Sequence, residues 1–192
     1  MMRRVGLFGG SFNPPHLGHI GLARTILEQQ LVDEVWLMVS PQNPLKEQGE
    51  LLDQFQRFEL CQTAVEGEAN IRASNFEFAL PRPSYTYATL EALEAAFPDH
   101  RFSLIIGGDN WAVFPKWAHW VEILANHEII VYPRSGAPID AGSLPPTVHL
   151  VEAPLFPYSS TEIRQRLAAR QDVSGMLPAP IIARCQSLYG NK

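Results

Sequence analysis

Apolar residues fall along this chain in short continuous runs, separated by longer stretches in which they recur every three or four positions. The runs Val5-Gly6-Leu7-Phe8, Val35-Trp36-Leu37-Met38-Val39, Phe102-Ser103-Leu104-Ile105-Ile106 and Glu128-Ile129-Ile130-Val131-Tyr132 have the length and β-branched content of parallel strands buried on both faces. Val148-His149-Leu150-Val151 is a shorter run of the same kind. The stretches with helical spacing lie at 16–28, 54–65, 86–97, 117–125, 160–170 and 179–188. Strand and helix alternating from the first residues predict an α/β fold, a doubly wound Rossmann-like parallel sheet with helices on both faces. No shift in composition divides the chain, so one domain is expected over residues 1–192.

Sheets of this kind take ligands at the carboxyl ends of their strands. The segments following the four longer runs read GGSFNPPH, SPQNPLK, GGDNW and PRSG. Together they offer glycine backbone, a lysine, a carboxylate and an arginine to a single crevice.

The first segment, Gly6 through His19, is strand, tight loop and helix start in succession. Glycines after a first strand let backbone N–H groups approach an anion, and the following helix adds the positive end of its dipole. Gly6, Gly9 and Gly10 match neither the GxGxxG spacing of dinucleotide-binding folds nor the GxxxxGK[ST] of a P-loop. Asn13 can cap the helix, a proline at 14 or 15 suits its first position, and His16 and His19 then share the face of its first turn. Gly18 between them leaves room for a ligand. A histidine here can also be a capping or surface residue, and a pair can ligate a metal, although no third ligand stands nearby in the sequence. Beside a helix N-terminus, imidazoles hold a proton poorly until a phosphate favours the charged form.

A second helix start, Ser159-Ser160-Thr161-Glu162-Ile163-Arg164, has the spacing of a capping box between Ser159 and Glu162. Arg164 lies early in that helix, where the dipole disfavours a cation unless an anion sits there too. Serine hydroxyls, free amides and an arginine suit a polyphosphate.

Charge narrows the partners further. With 15 Lys and Arg against 20 Asp and Glu, the formal net charge is −5, and no basic run offers the footprint that nucleic acid or an anionic membrane requires. Cys61 and Cys185 form no CxxC pair, and no long apolar leader or membrane-length run is present. A cytoplasmic, thiol-reduced protein is the expectation.

The stretches GGSFNPPHLGH and SSTEIR identify the chain as resembling the nucleotidyltransferase superfamily with an HxGH signature. Along nearly its whole length it is similar to the bacterial nicotinate mononucleotide adenylyltransferases, through SPQNPLK at 40–46, PSYT at 83–86 with Thr89 and Leu90, IGGDN at 106–110, Trp117, and VYPR at 131–134. Ser11 and Asn13 stand where that family more usually has threonine and aspartate, and Tyr158 stands where it is usually aliphatic.

The resemblance implies attack by a phosphate oxygen of nicotinate mononucleotide on the α-phosphorus of ATP, giving deamido-NAD and pyrophosphate. It also implies roles. His16 and His19 meet the ATP phosphates beside the Gly9, Gly10, Ser11 and Phe12 loop, and Ser159, Ser160, Thr161 and Arg164 hold the pyrophosphate end. Lys46 and Ser11 hold the mononucleotide phosphate, Asp109 after Gly107 engages a ribose hydroxyl, and Arg134 is a candidate for the triphosphate. Ser84, Tyr85 and Thr86 would receive the nicotinate carboxylate, with Trp117 stacked on the pyridine ring. Magnesium is expected to arrive bridging phosphate oxygens, with no protein metal ligand. An adenylyl- or cytidylyltransferase with another phosphate acceptor, or a nucleotide sensor without catalysis, shares much of this pattern.

Overall fold

The computed structural model describes residues 2–41 and 51–190. Its sheet has six strands, β1 (Arg3–Gly10), β2 (Glu34–Val39), β3 (Ile71–Ser74), β4 (His100–Gly107), β5 (Ile129–Tyr132) and β6 (Val148–Leu150). Every pairing is parallel, in the order β3-β2-β1-β4-β5-β6. Among the described residues, seven α-helices connect and flank the strands: α1 (Leu17–Glu28), α2 (Gln54–Ala64), α3 (Thr86–Ala96), α4 (Gly108–Val113), α5 (Trp120–Asn126), α6 (Ser160–Ala168) and α7 (Ile182–Tyr189). This is the doubly wound arrangement expected from the alternating pattern.

Alternate strand residues enter two separate cores. Phe8, Leu37, Val39, Ile105 and Ile130 pack with Ile20, Ala23 and Ile26 of α1 and Cys61 of α2. Leu7, Trp36, Met38, Leu104, Ile106 and Val131 face the other way, onto Leu90 and Leu93 of α3 and Ile123 of α5. A strand covered on both faces is apolar along its length, and β2, buried from end to end, departs from this only at Glu34, whose carboxylate pairs with Arg3 and Arg72. A third cluster joins Leu60 and Ala64 of α2 to Ile163 and Leu167 of α6 and to Cys185 and Tyr189 of α7.

Three elements differ from the expectation. The edge strand β3 has no counterpart among the apolar runs, because only its first residue is fully buried and its sequence is IRAS. The segment after β4 is the short helix α4, not a loop. The helix expected from residue 117 begins instead at Trp120, so Trp117 ends a 3-10 turn in extended backbone.

The order of strands places a switch point between β1 and β4, which run side by side while their connections leave in opposite directions. The crevice at their carboxyl ends lies between the GGSFNPPH and GGDNW segments. Among the described residues, no helix is long and apolar enough to cross a membrane. Cys61 and Cys185 are buried free thiols, and burial pushes both pKa values upward.

Candidate active site

The loop from β1 to α1 carries the opening motif in a constrained form. Phe12 has a φ of 45°, a left-handed conformation that a bulky side chain adopts only where the surroundings enforce it. Its ring is buried, edge-on to Phe8 at 5.8 Å and to His19 at 4.9 Å. Phe12 therefore forms the floor beneath His19, and only its backbone is left to meet a ligand. Gly10 is needed for the same packing, since a Cβ there would sit 3.1 Å from the Phe12 ring. Gly9 differs, because a Cβ added to it would meet nothing within 4 Å. The amides of Ser11 and Phe12 have no hydrogen-bond partner among the described residues.

Asn13 does not cap α1. The N-cap is His16, while Asn13 is buried with its Oδ1 accepting from the Tyr189 hydroxyl at 2.7 Å and from the Leu52 amide at 3.3 Å. Its side chain ties the motif to the C-terminal helix and not to the helix it precedes.

His16 and His19 stack, with ring centroids 3.7 Å apart and 23° between planes. The His16 backbone N–H donates to Nδ1 of His19 at 3.1 Å. A neutral His19 accepting there carries its proton on Nε2. Nδ1 of His16 is buried and has no partner among the described residues. Burial, with a contribution from Arg134, pushes the His16 pKa down to about 4. Burial, then His16, then Arg134 hold His19 well below its ordinary value. The pair is neutral near pH 7 and ready to gain charge when an anion arrives. Gly18 does not open space for a ligand: a Cβ there would lie 3.0 Å from His16 Nδ1 and 3.1 Å from Phe156 Cβ. Its role is to let those side chains close over the helix start.

α6 meets this loop from the other end of the chain. Ser160 Oγ donates to the Pro14 carbonyl at 2.9 Å, and Arg164 Nη1 donates to the Asn13 carbonyl at 2.9 Å. Ser159 caps α6 by accepting from the Glu162 amide at 3.1 Å, but the Glu162 carboxylate pairs with Arg166 at 3.0 Å, so the capping box is only half made. Thr161 is exposed at the same helix start, and Tyr158 lies 6.2 Å from His16.

From β4 and β5 come Gly107, Asp109 and Arg134. Arg134 donates to the Tyr132 hydroxyl at 2.9 Å and approaches Asp109 at 3.7 Å. A Cβ on Gly107 would collide with both Asp109 and Arg134. Tyr132 packs on Phe8, which packs on His19, so this pair stands beside the histidines.

Ser84, Tyr85 and Thr86 lie at the start of α3, and Trp117 lies three residues before α5. Tyr85 is the N-cap of α3 and its side chain makes no cap, which leaves the first amides of that helix as donors. Ser84 therefore lies one residue outside the cap position. Tyr87 packs on His119 at 4.1 Å, and Trp117 packs on Phe114 at 5.4 Å. Glu77, its carboxyl pushed up by burial, accepts from Thr89 at 3.0 Å and secures the first turns of α3. Lys46 lies outside the described residues. Among the described residues, no cluster of three or more His, Cys, Asp or Glu side chains could hold a metal ion.

One site-forming residue gave no signal as a motif. Arg57, which reads as an ordinary charge on α2, is fully buried against the opening loop. Its position three, four and seven residues before Leu60, Cys61 and Ala64, all on the buried face of α2, is the sign that could have revealed it.

The family model described as cytidylyltransferase-like matches residues 7–166. A protein of Bacteroides fragilis named as a probable nicotinate-nucleotide adenylyltransferase is 46% identical over 94% of this chain and 90% of its own length. The chain belongs to the nicotinate-nucleotide adenylyltransferase family. A second relative of that name, from Bacteroides thetaiotaomicron, is 49% identical over 88% of this chain and 84% of its own. In fold, the chain is similar to the Plasmodium falciparum nicotinic acid mononucleotide adenylyltransferase complexed with NaAD, with a TM-score of 0.78 at 18% identity, covering 99% of this chain and 100% of that one. The span matched by the family model, residues 7–166, takes in the opening loop, the histidine pair and the start of α6 described above.

Proposed function

We propose that the chain transfers the adenylyl group of ATP to nicotinate mononucleotide, releasing pyrophosphate and forming deamido-NAD, a step of NAD biosynthesis. The observation that carries this reading is the convergence of α1 and α6 on one loop. Neutral, stacked His16 and His19, Arg164, Ser160 and unpartnered backbone amides gather where a polyphosphate would lie.

The chemistry asks little of the protein beyond position and charge. A phosphate monoester is already ionised near neutrality, so its oxygen attacks the α-phosphorus without a general base. Charge builds on the α-phosphoryl oxygens and the departing pyrophosphate. His16 and His19 gain protons or donate hydrogen bonds to that charge, and Arg164, Ser159, Ser160 and Thr161 hold the leaving group. Preorganised donors of this kind contribute roughly 10²–10³ in rate. Asp109 takes a ribose hydroxyl, and Arg134 beside it faces the triphosphate. ATP enters as its magnesium complex, with the ion held by phosphate oxygens. Lys46 and Ser11 take the mononucleotide phosphate. Uncapped amides of α3, with Ser84, Tyr85 and Thr86, suit the nicotinate carboxylate, and Trp117 the ring. A cytoplasmic setting agrees with two buried, unpaired cysteines.

The test is pyrophosphate release from ATP and magnesium in the presence of nicotinate mononucleotide. Release by the wild type that falls roughly 10²–10³-fold in His16→Ala and in His19→Ala supports the reading. No release from the wild type, or undiminished turnover in both variants, overturns it.

A further inference from the structure

Arg57 is a charged side chain with no exposed surface. Its guanidinium spreads over three backbone carbonyls: Nε donates to Leu52 at 2.9 Å, Nη1 to Ser11 at 2.7 Å and Nη2 to Pro41 at 3.0 Å. All three acceptors are neutral. Burial holds its pKa below the ordinary arginine value, although a guanidinium stays charged throughout the physiological range. Taking such a group out of water carries a desolvation cost that an apolar residue of similar volume would avoid. A planar fork of five donors is what the site gains in return, and no other side chain can span three carbonyls in fixed directions.

The carbonyls belong to different parts of the chain. Leu52 immediately precedes the N-cap of α2, while Ser11 and Pro41 follow the neighbouring strands β1 and β2. The Ser11 carbonyl matters most, because it shares a peptide plane with the Phe12 N–H. In a trans peptide those two bonds point in opposite directions. Drawing the Ser11 oxygen inward onto Arg57 turns the Phe12 N–H outward, and that amide has no partner among the described residues. Phe12 sits at its left-handed φ of 45° with its ring locked in the core, so the plane is fixed from both sides.

We propose that Arg57 is a positioning residue for adenylyl transfer. By holding the Ser11 carbonyl, it presents the Phe12 amide as a hydrogen-bond donor to a substrate phosphate. The inference rests on the reading under Proposed function, but its test is separable from it. Arg57→Lys keeps the charge and most of the stem and loses the fork. A misplacement of about 1 Å in a positioned group can cost about 10²-fold in rate. Arg57→Lys is therefore expected to lower kcat roughly 10²-fold at a temperature well below its own melting transition, with KM for ATP changed much less. In wild-type protein labelled with nitrogen-15, the Phe12 amide resonance is expected to move on adding ATP, pyrophosphate or nicotinate mononucleotide, and this response is expected to be lost in Arg57→Lys. Wild-type kcat in Arg57→Lys, or a lowered kcat with the Phe12 response intact, overturns the proposal. A Phe12 amide that responds to none of these ligands in the wild type overturns it without any variant. Failure of the wild type to turn over overturns the functional reading instead.

Discussion

The imidazoles of His16 and His19 stack 3.7 Å apart, and burial keeps both from holding a proton. This relationship has a consequence for stability. A histidine whose pKa falls from its ordinary 6.5 to about 4 on folding binds its proton better in the unfolded chain. Folding stability from His16 is therefore fully present above pH 6.5 and is lost as pH falls from there toward about 4. The shift corresponds to a loss of the order of 3 kcal/mol. Chemical denaturation at a series of pH values is expected to show this acid loss in the wild type and a shallower one in His16→Asn. Parallel profiles would contradict a buried, neutral His16.

The same shift predicts proton uptake on binding. A polyphosphate beside the pair favours the charged imidazoles and raises their pKa values. Titration calorimetry near pH 6 in buffers of differing ionisation enthalpy is expected to show ATP binding taking up protons, and less uptake in His16→Asn. Proton release, or none, would separate the histidines from the phosphates.

Gly18→Ala probes the packing around the pair. The added Cβ falls 3.0 Å from His16 Nδ1 and 3.1 Å from Phe156 Cβ, so one neighbour must shift. Overpacking of this kind costs about 1–3 kcal/mol, a fall of several degrees in melting temperature. Displacement of His16 is expected to lower kcat as well. A variant with unchanged kcat would show that His16 tolerates movement.

Arg164 reaches 151 residues back along the chain to the Asn13 carbonyl. Arg164→Ala removes both that hold and a cation facing the leaving group. A charge-assisted contact is worth about 1.5–3 kcal/mol, or roughly 10- to 200-fold. KM is expected to rise by that order for ATP and, in the reverse direction, for pyrophosphate. An effect confined to the mononucleotide would contradict the assignment.

Much of this was legible in the sequence for a physical reason. Strands buried on both faces are continuous apolar runs, so β1, β2, β4 and β5 announce themselves, and the glycines and histidines of the opening motif do meet at the start of α1. The edge strand β3 leaves no such run, because one side of Ile71–Ser74 is half-exposed. Trp117 carries helical spacing with its successors, yet a 3-10 turn intervenes and tertiary packing on Phe114 decides its backbone. By sequence alone, Asn13 reads as a helix cap and Gly18 as space for a ligand. Their actual partners, Tyr189 and Phe156, lie 176 and 138 residues away in sequence, where local chemistry does not reach. Arg57 stayed hidden for the same reason, since its acceptors are backbone carbonyls and leave no mark in a sequence.

The start of α3 bears on which mononucleotide is adenylylated. The first amides of α3 receive no side-chain cap from Tyr85, and a carboxylate uses such donors better than a neutral amide does. The difference is worth about 1.5–3 kcal/mol. The most direct measurement gives the wild type ATP, magnesium and equal amounts of nicotinate and nicotinamide mononucleotide, and reads the dinucleotides by mass. Deamido-NAD is predicted to exceed NAD roughly 10- to 200-fold, with the excess reduced in Thr86→Ala while KM for ATP holds. Equal yields would contradict the carboxylate assignment, and no dinucleotide at all would contradict adenylyl transfer itself.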